Sequence, residues 1–363
     1  MAPKPGSFRG LWLVLLLVII LLPWIPRQTS QAASFADLAA PGPYQAGYRT
    51  VTVTRADATT FSATLYYPAT NAGENAPFDS SGGPYPAITF AHGFLSEVNY
   101  YSDLLEHLAT HGYFVIASLT YSGFVFQVDH AQFAHDVSDC LTYLVQQNDS
   151  AASPYYRQVK VSAFGASGHS MGGGVSILAA SEDTRIKAVA NMAAEADTTP
   201  PASTAIESVR MPVRLLAGSC DGITPLADHQ QVLYNHANAP RQLAVFEKGT
   251  HQGFLEGPIS FPESCSGGAM AVEKQLELSR AWITGWFDYY LKQDAALEDL
   301  IWGSGLTSDP LVSVQADPGA TAHTPTPTHT RTPTPTDTRT PQPTRTLWPA
   351  CESDCRFYFP FGR

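Results

Sequence analysis

The chain has 363 residues, 44% of them hydrophobic and 15% charged, with a formal net charge of −11 at pH 7. That is enough for one large domain with a sizeable core, plus appendages. The acidic balance and the lack of any Lys/Arg-rich run argue against nucleic acid and against anionic membrane surfaces as partners.

Lys4 and Arg9 form a positive opening, residues 11–22 an apolar run, and Ser30, Ala32 and Ala33 a small-residue cleavage site near Ala32 or Ala33. This pattern predicts an export signal peptide over residues 1–33. The alternative is an uncleaved membrane anchor: the apolar run is short for a full span, though Trp24 and Ile25 could extend it. An exported chain meets an oxidising compartment, so its five cysteines are disulfide candidates with one left over. Cys351 and Cys355 could close a small loop, and a Cys220–Cys265 bridge would pin two loops discussed below. Cys140 lies in a helical pattern and is expected to be a buried free thiol. Spacing alone leaves the connectivity open.

Residues 34–43 are a short lead-in. Residues 48–54 alternate, with Val51 and Val53 on one face, and predict a strand; residues 60–67 predict a second, antiparallel to it at the sheet edge. Residues 71–84 are rich in Gly, Ser, Asn and Pro and read as a loop. A buried strand over 86–91 leads into His92-Gly93-Phe94. Leu104, Leu105 and Leu108 predict a helix over 101–110, stopping near Gly112. A short apolar strand spans 113–119. Phe133, Val137, Cys140, Leu141 and Leu144 share one face of a helix over 131–147.

The segment Gly168-His169-Ser170-Met171-Gly172 fits G-x-S-x-G between a strand over 159–164 and a buried helical run over 175–180. A serine hydroxyl is a weak nucleophile and must be exposed at a sharp turn where a base can reach it. Side chains two residues to either side would collide there, which explains the glycines. Strands over 186–192, 213–217 and 242–246 follow, with a helix over 226–236 and a long last helix over 272–291. Strands alternating with helices predict an α/β domain over residues 34–316, with a mainly parallel central sheet, an antiparallel edge and helices on both faces. Residues 317–347 are a Thr-Pro tract that cannot form a core and reads as an extended linker whose threonines can carry O-linked sugar. Residues 348–363 form a Cys/aromatic tail, read either as a cell-surface attachment signal or as a segment that folds back on the domain.

A nucleophilic serine needs a base, an orienting acid and oxyanion donors, ordered Ser, acid, His along this type of chain. His251 follows a late strand in the turn-rich Gly249-Thr250-His251-Gln252-Gly253. His229 and His236 fall inside a predicted helix, His323 and His329 in the Thr-Pro tract, and His169 at the variable position of the elbow, where it supports the turn. Asp221 follows the strand ending at Ala217 and is the expected acid, with Glu195 and Asp197 as fallbacks. Met171 and Phe94 are the expected backbone oxyanion donors, and Gly93 allows close approach. The Phe94 ring and Phe124, in Tyr121-Ser122-Gly123-Phe124-Val125-Phe126, are candidates for lining an apolar substrate site.

These motifs resemble the α/β-hydrolase superfamily over about residues 48–291. More narrowly, Ala91-His92-Gly93-Phe94, Gly168-His169-Ser170-Met171-Gly172-Gly173-Gly174, Asp221-Gly222-Ile223-Thr224-Pro225 and Gly249-Thr250-His251 are similar to the bacterial cutinase/polyesterase, chlorophyllase-like and platelet-activating-factor-acetylhydrolase-like group. The resemblance implies an α/β-hydrolase fold and a cofactor-free acyl-enzyme mechanism with Ser170 as nucleophile, His251 as base and Asp221 as orienter. It also implies Phe94 and Met171 as oxyanion donors, and Cys220–Cys265 is similar to a disulfide beside the active site of some polyester hydrolases. The polyesterases of this group carry a Trp after the strand corresponding to residues 186–192; here Ala193-Ala194-Glu195-Ala196-Asp197 has no aromatic. The expectation is a secreted or cell-surface, monomeric serine ester hydrolase, without metal, acting on small ester, lipid or polyester substrates with an apolar part. The alternatives are acyl transfer or peptide-bond cleavage by the same triad, or an inactive surface-binding domain. His130 and His135 are not spaced at i, i+4, so they predict no helical metal site.

Overall fold

The structure is a computed structural model that describes residues 33–257 and 263–319. The chain divides into two units, Met1–Pro325 and Thr326–Arg363, and the described residues belong to the first. The predicted signal peptide up to residue 32, the Thr-Pro tract beyond residue 319, Cys351, Cys355 and the aromatic tail lie outside the described residues. Among those described, no helix is long and apolar enough to cross a membrane.

The described strands form one sheet: β1 (Gln45–Thr54), β2 (Thr60–Ala69), β3 (Gly73–Glu74), β4 (Tyr85–Ala91), β5 (Phe114–Ser118), β6 (Val159–His169), β7 (Ile186–Met192), β8 (Val213–Gly218), β9 (Arg241–Phe246) and β10 (Val312–Asp317). Their spatial order is β10-β9-β8-β7-β6-β4-β5-β2-β1-β3. Pairing is parallel from β5 through β4, β6, β7 and β8 to β9. β1 pairs antiparallel with β2, β2 with β5, and β10 with β9. Every residue of β4 and β5 is buried, as strands covered on both faces require.

The α-helices among the described residues are α1 (Phe35–Ala39), α2 (Ser102–Thr110), α3 (His130–Asp149), α4 (Met171–Glu182), α5 (Ala202–Ala205), α6 (Gln230–His236), α7 (Val272–Phe287) and α8 (Glu298–Ile301). One core cluster joins α3 and α4 to the sheet through Phe133, Val137, Leu141, Leu144, Val175 and Leu178. The other joins α1, α2 and α7 through Phe35, Leu105, Leu108, Trp282, Ile283 and Trp286. Cys140 is buried in the first cluster and is a free thiol, and burial pushes its pKa well up. In the second, the buried Arg214 guanidinium lies 4.9 and 4.4 Å from the Trp282 and Trp286 rings and donates to Trp282 O at 2.8 Å. Burial pushes the Arg214 pKa down to about 9.

Several boundaries differ from the sequence reading. The lead-in contains α1, capped by Ser34 and Asp37 in a capping box. Its Phe35 stacks on Trp282 at 4.7 Å, and its Leu38 carbonyl accepts from His107 Nε2 at 3.0 Å. The helix predicted over 226–236 starts only at Gln230. His229 stays outside it, with Nδ1 accepting the Ala196 N–H at 3.1 Å. The last helix widens into a π-helical turn, Asp288–Lys292, closed by Gln293 at φ 61°. The predicted loop 71–84 includes β3, and β10 adds an unpredicted antiparallel strand at the far edge.

His92, His107 and His169 are all buried, and burial is the main cause that lowers each pKa, that of His107 to about 2. Unfolding exposes these rings to an ordinary pKa of about 6.5. Their contribution to stability is therefore complete above about pH 6.5 and is lost as pH falls below it, by about 1.4 kcal/mol per pH unit for each ring that stays neutral when folded. Urea unfolding at a series of pH values checks this. A His107→Gln variant is expected to lose about 2 kcal/mol less than the parent between pH 6.5 and 4.5, and identical acid slopes would refute it.

Candidate active site

The parallel strands all point their C-terminal ends to the same end of the sheet, and the loops that leave β4, β6, β7, β8 and β9 lie there. At the end of β6 the chain turns directly into α4 through Ser170, which has φ 56° and ψ −126°. A non-glycine residue in this region costs about 1–3 kcal/mol and persists only where its surroundings hold it. The Ser170 N–H donates to Met192 O at 3.0 Å, and the Ser170 carbonyl accepts from Gly173, Gly174 and Glu195 N–H groups at 2.9, 3.2 and 3.0 Å. Gly172 must lack a side chain, because a Cβ there would lie 2.1 Å from Ala91 O on β4. Met171 opens α4, so its N–H belongs to the first turn, which has no intrahelical acceptors.

Asp221 follows β8 and His251 follows β9. Asp221 Oδ2 lies 2.8 Å from His251 Nδ1, with both side chains almost fully buried. A carboxylate can only accept, so the imidazole proton sits on Nδ1 and the lone pair is left on Nε2. Asp221 is fixed in turn: its Oδ1 accepts the Ile223 and Thr224 N–H groups at 2.9 and 2.8 Å, and its Oδ2 lies 3.0 Å from Thr224 Oγ1. Gln275 on α7 holds the histidine loop from behind, accepting from Thr250 N–H at 3.0 Å and donating to Thr250 O at 2.7 Å. Among the fallback acids, Asp197 faces His229 at 3.5 Å and is largely exposed. Burial, then the neighbouring Asp197, pushes the Glu195 pKa up. It is Asp221 that the structure brings to the His251 ring.

His169 ties three loops together. Gly93 N–H donates to Tyr101 Oη at 3.0 Å, Tyr101 Oη lies 2.9 Å from His169 Nδ1, and His169 Nε2 lies 3.2 Å from His251 O. The carbonyl requires a proton on Nε2, so the neutral ring accepts the Tyr101 hydroxyl proton at Nδ1. Burial, reinforced by the nearby His251, holds the His169 pKa well down and keeps that ring neutral. The two imidazoles pack at 4.5 Å. Gly93 brings the loop after β4 against the elbow: a Cβ there would lie 3.3 Å from Ser170 Cβ.

Phe94 is 44% exposed, and its ring meets Phe126 edge to face at 6.5 Å; Phe124 is 69% exposed. Gly123 N–H donates to Ser96 O at 2.9 Å, linking the loops that carry these rings. Across the site, Ala193, Ala194 and Ala196 after β7 are buried small residues. Cys220 and Cys265 form a disulfide. Two residues before Cys265, the Glu263 carboxylate accepts N–H groups of His251, Gln252 and Gly222 at 2.8, 3.0 and 3.1 Å. The sequence reading missed Glu263, Gln275 and Tyr101. The first two hold the loop through backbone groups, which leave no side-chain pattern, and Tyr101 sits where a helix start was expected. Among the described residues no cluster of His, Cys, Asp and Glu could hold a metal ion. A separate cleft lined by Arg55, His135, Asp139, Glu182 and Arg185 shares no residue with this site.

Residues 26–262, more than half of the chain, match the family model described as PET hydrolase-like. Among curated proteins, chlorophyllase-1 of Arabidopsis thaliana is 49% identical over 35 residues, which cover 10% of this chain and 11% of that protein. The match to that curated relative therefore spans only about a tenth of its length.

Tyr101→Phe removes the one hydroxyl that satisfies both Gly93 N–H and His169 Nδ1 in a buried site. The expected cost is about 1–3 kcal/mol by urea unfolding, against a negligible change for Tyr156→Phe at the surface. Equal midpoints for the two variants would refute the linkage.

Proposed function

The chain belongs to the PET hydrolase-like family of the α/β-hydrolase superfamily, and on that premise we propose that it is an exported serine ester hydrolase that works through an acyl-enzyme. The observation that carries this reading is the 2.8 Å contact of Asp221 with His251 Nδ1, at the C-terminal end of the parallel strands where Ser170 is held in the strained strand-to-helix turn. In this reading Ser170 Oγ attacks the ester carbonyl while His251 Nε2 takes its proton. Asp221 stabilises the imidazolium and keeps the tautomer that leaves Nε2 free. The Met171 and Phe94 N–H groups hold the oxyanion. The imidazolium then protonates the leaving alcohol, the alcohol departs, and the acyl group stays on Ser170. Water, deprotonated by His251, attacks the acyl carbon and releases the acid and the free serine. No cofactor enters this cycle.

The exposed Phe94, Phe124 and Phe126 rings support esters with an apolar acyl or alcohol part. The alanines after β7 offer no opposing aromatic, which favours small or lipid-like esters over aromatic polyester. The Cys220–Cys265 disulfide supports an oxidising location outside the cytosol. Anchorage through the C-terminal tail and a monomeric state complete the proposal.

A fluorophosphonate probe followed by peptide mass spectrometry is expected to label Ser170, and labelling to vanish in Ser170→Ala. Asp221→Asn is expected to lower kcat by about 10³–10⁴-fold. Labelling at another residue, or none in folded protein, would overturn the assignment. Across nitrophenyl esters and an aromatic polyester film, turnover of the soluble esters is expected to dominate; transfer to added alcohols or amines in place of hydrolysis would favour the acyltransferase alternative.

A further inference from the structure

The proposed mechanism names the groups that react but not what fixes the backbone beneath them. One carboxylate does much of that. Glu263 Oε1 accepts the His251 N–H at 2.8 Å and the Gly222 N–H at 3.1 Å, and Oε2 accepts the Gln252 N–H at 3.0 Å. Gly222 directly follows Asp221, so a single side chain grips the backbone of both the acid loop and the base loop. Hydrogen bonds to an ionised acceptor are roughly twice as strong as neutral ones. The segment that carries Glu263 is itself fastened: Cys265, two residues on, is bonded to Cys220, the residue before Asp221. The acid loop is therefore covalently tied to the segment whose carboxylate reaches across to the base loop.

This arrangement complements the Asp221–His251 contact. That contact sets the direction of the imidazole ring, while Glu263 sets where the backbone bearing the ring stands relative to residues 221 and 222. Gln275 acts on the neighbouring Thr250 alone, so it cannot fix the distance between the two loops. We propose that Glu263 is a positioning residue of the active site, holding His251 at its working distance from Asp221 and Ser170. The proposal rests on the reading of Ser170, Asp221 and His251 as the reacting set. Glu263 contacts the loops through backbone amides, so its loss should act on kcat and leave KM nearly unchanged. Glutamine at this position keeps one oxygen for the His251 and Gly222 N–H groups but turns an amide N–H toward that of Gln252, so it should restore part of the effect.

The test compares wild type, Glu263→Ala and Glu263→Gln in kcat and KM on a soluble nitrophenyl ester. The rate of fluorophosphonate labelling at Ser170 and thermal unfolding are measured on the same samples. The expected result for Glu263→Ala, at a temperature where it is folded, is a loss of about 10–100-fold in both kcat and labelling rate, as a misplacement near 1 Å produces. KM should stay within about twofold, and Glu263→Gln should show a smaller but measurable loss of about 3–10-fold in kcat. A folded Glu263→Ala with wild-type kcat, or with its loss confined to KM, overturns the positioning role. If the alanine variant does not fold, a Glu263→Gln enzyme with unchanged kcat and labelling overturns it equally. Labelled wild-type Ser170 with an equally fast variant refutes this inference alone; a wild type that ignores the probe refutes the catalytic reading and the positioning role with it.

Discussion

The backbone of Ser170 is bent into a region that L-residues avoid, and much of the molecule is arranged to keep it there. The turn is closed on one side by the N–H bond to Met192 at the end of β7 and on the other by three N–H groups that share the Ser170 carbonyl. The glycine at 172 exists because β4 passes too close for any side chain. These constraints need β4, β6 and β7 side by side and α4 pressed onto them, which is why the buried, parallel centre of the sheet lies under the elbow. Strain here is held by order elsewhere.

A second constraint is that the site is mostly buried and yet polar. A buried donor or acceptor without a partner costs about 1–3 kcal/mol, so each group must find its complement nearby. The solution is a chain of mutual satisfaction. Gly93, Tyr101, His169 and the His251 carbonyl form one branch, and Asp221, Thr224 and the His251 ring the other. The two branches meet at residue 251. The loops after β4, β6 and β9 are therefore positioned by one another as well as by the sheet.

The parts legible in the sequence are those that leave a side-chain pattern. Central strands read as apolar runs, α3 as a periodic face, and the elbow as glycines flanking a serine. Asp221 and His251 could be singled out because each ends a predicted strand in the required order. The edge of the sheet was harder. In β10 only Val312 is buried, so nothing distinguishes it from a polar loop. The five residues of α1 gain their place from His107 and Trp282, which are remote in sequence. At the N-terminal limit of α6, His229 is engaged by the Ala196 N–H and Asp197, contacts remote in sequence that leave no local signal. Glu263 leaves no trace because its partners are amide groups that every residue possesses.

Cys140 carries a consequence for how the chain matures. Only the thiolate attacks a disulfide, and in the folded domain Cys140 is enclosed between α3 and the sheet, its ionisation suppressed by burial. Once folded, it cannot exchange with the Cys220–Cys265 pair. Before α3 docks, the same thiol is an open competitor for either partner. The hydrophobic residues that enclose Cys140 therefore also keep the Cys220–Cys265 pair from thiol exchange within the folded domain.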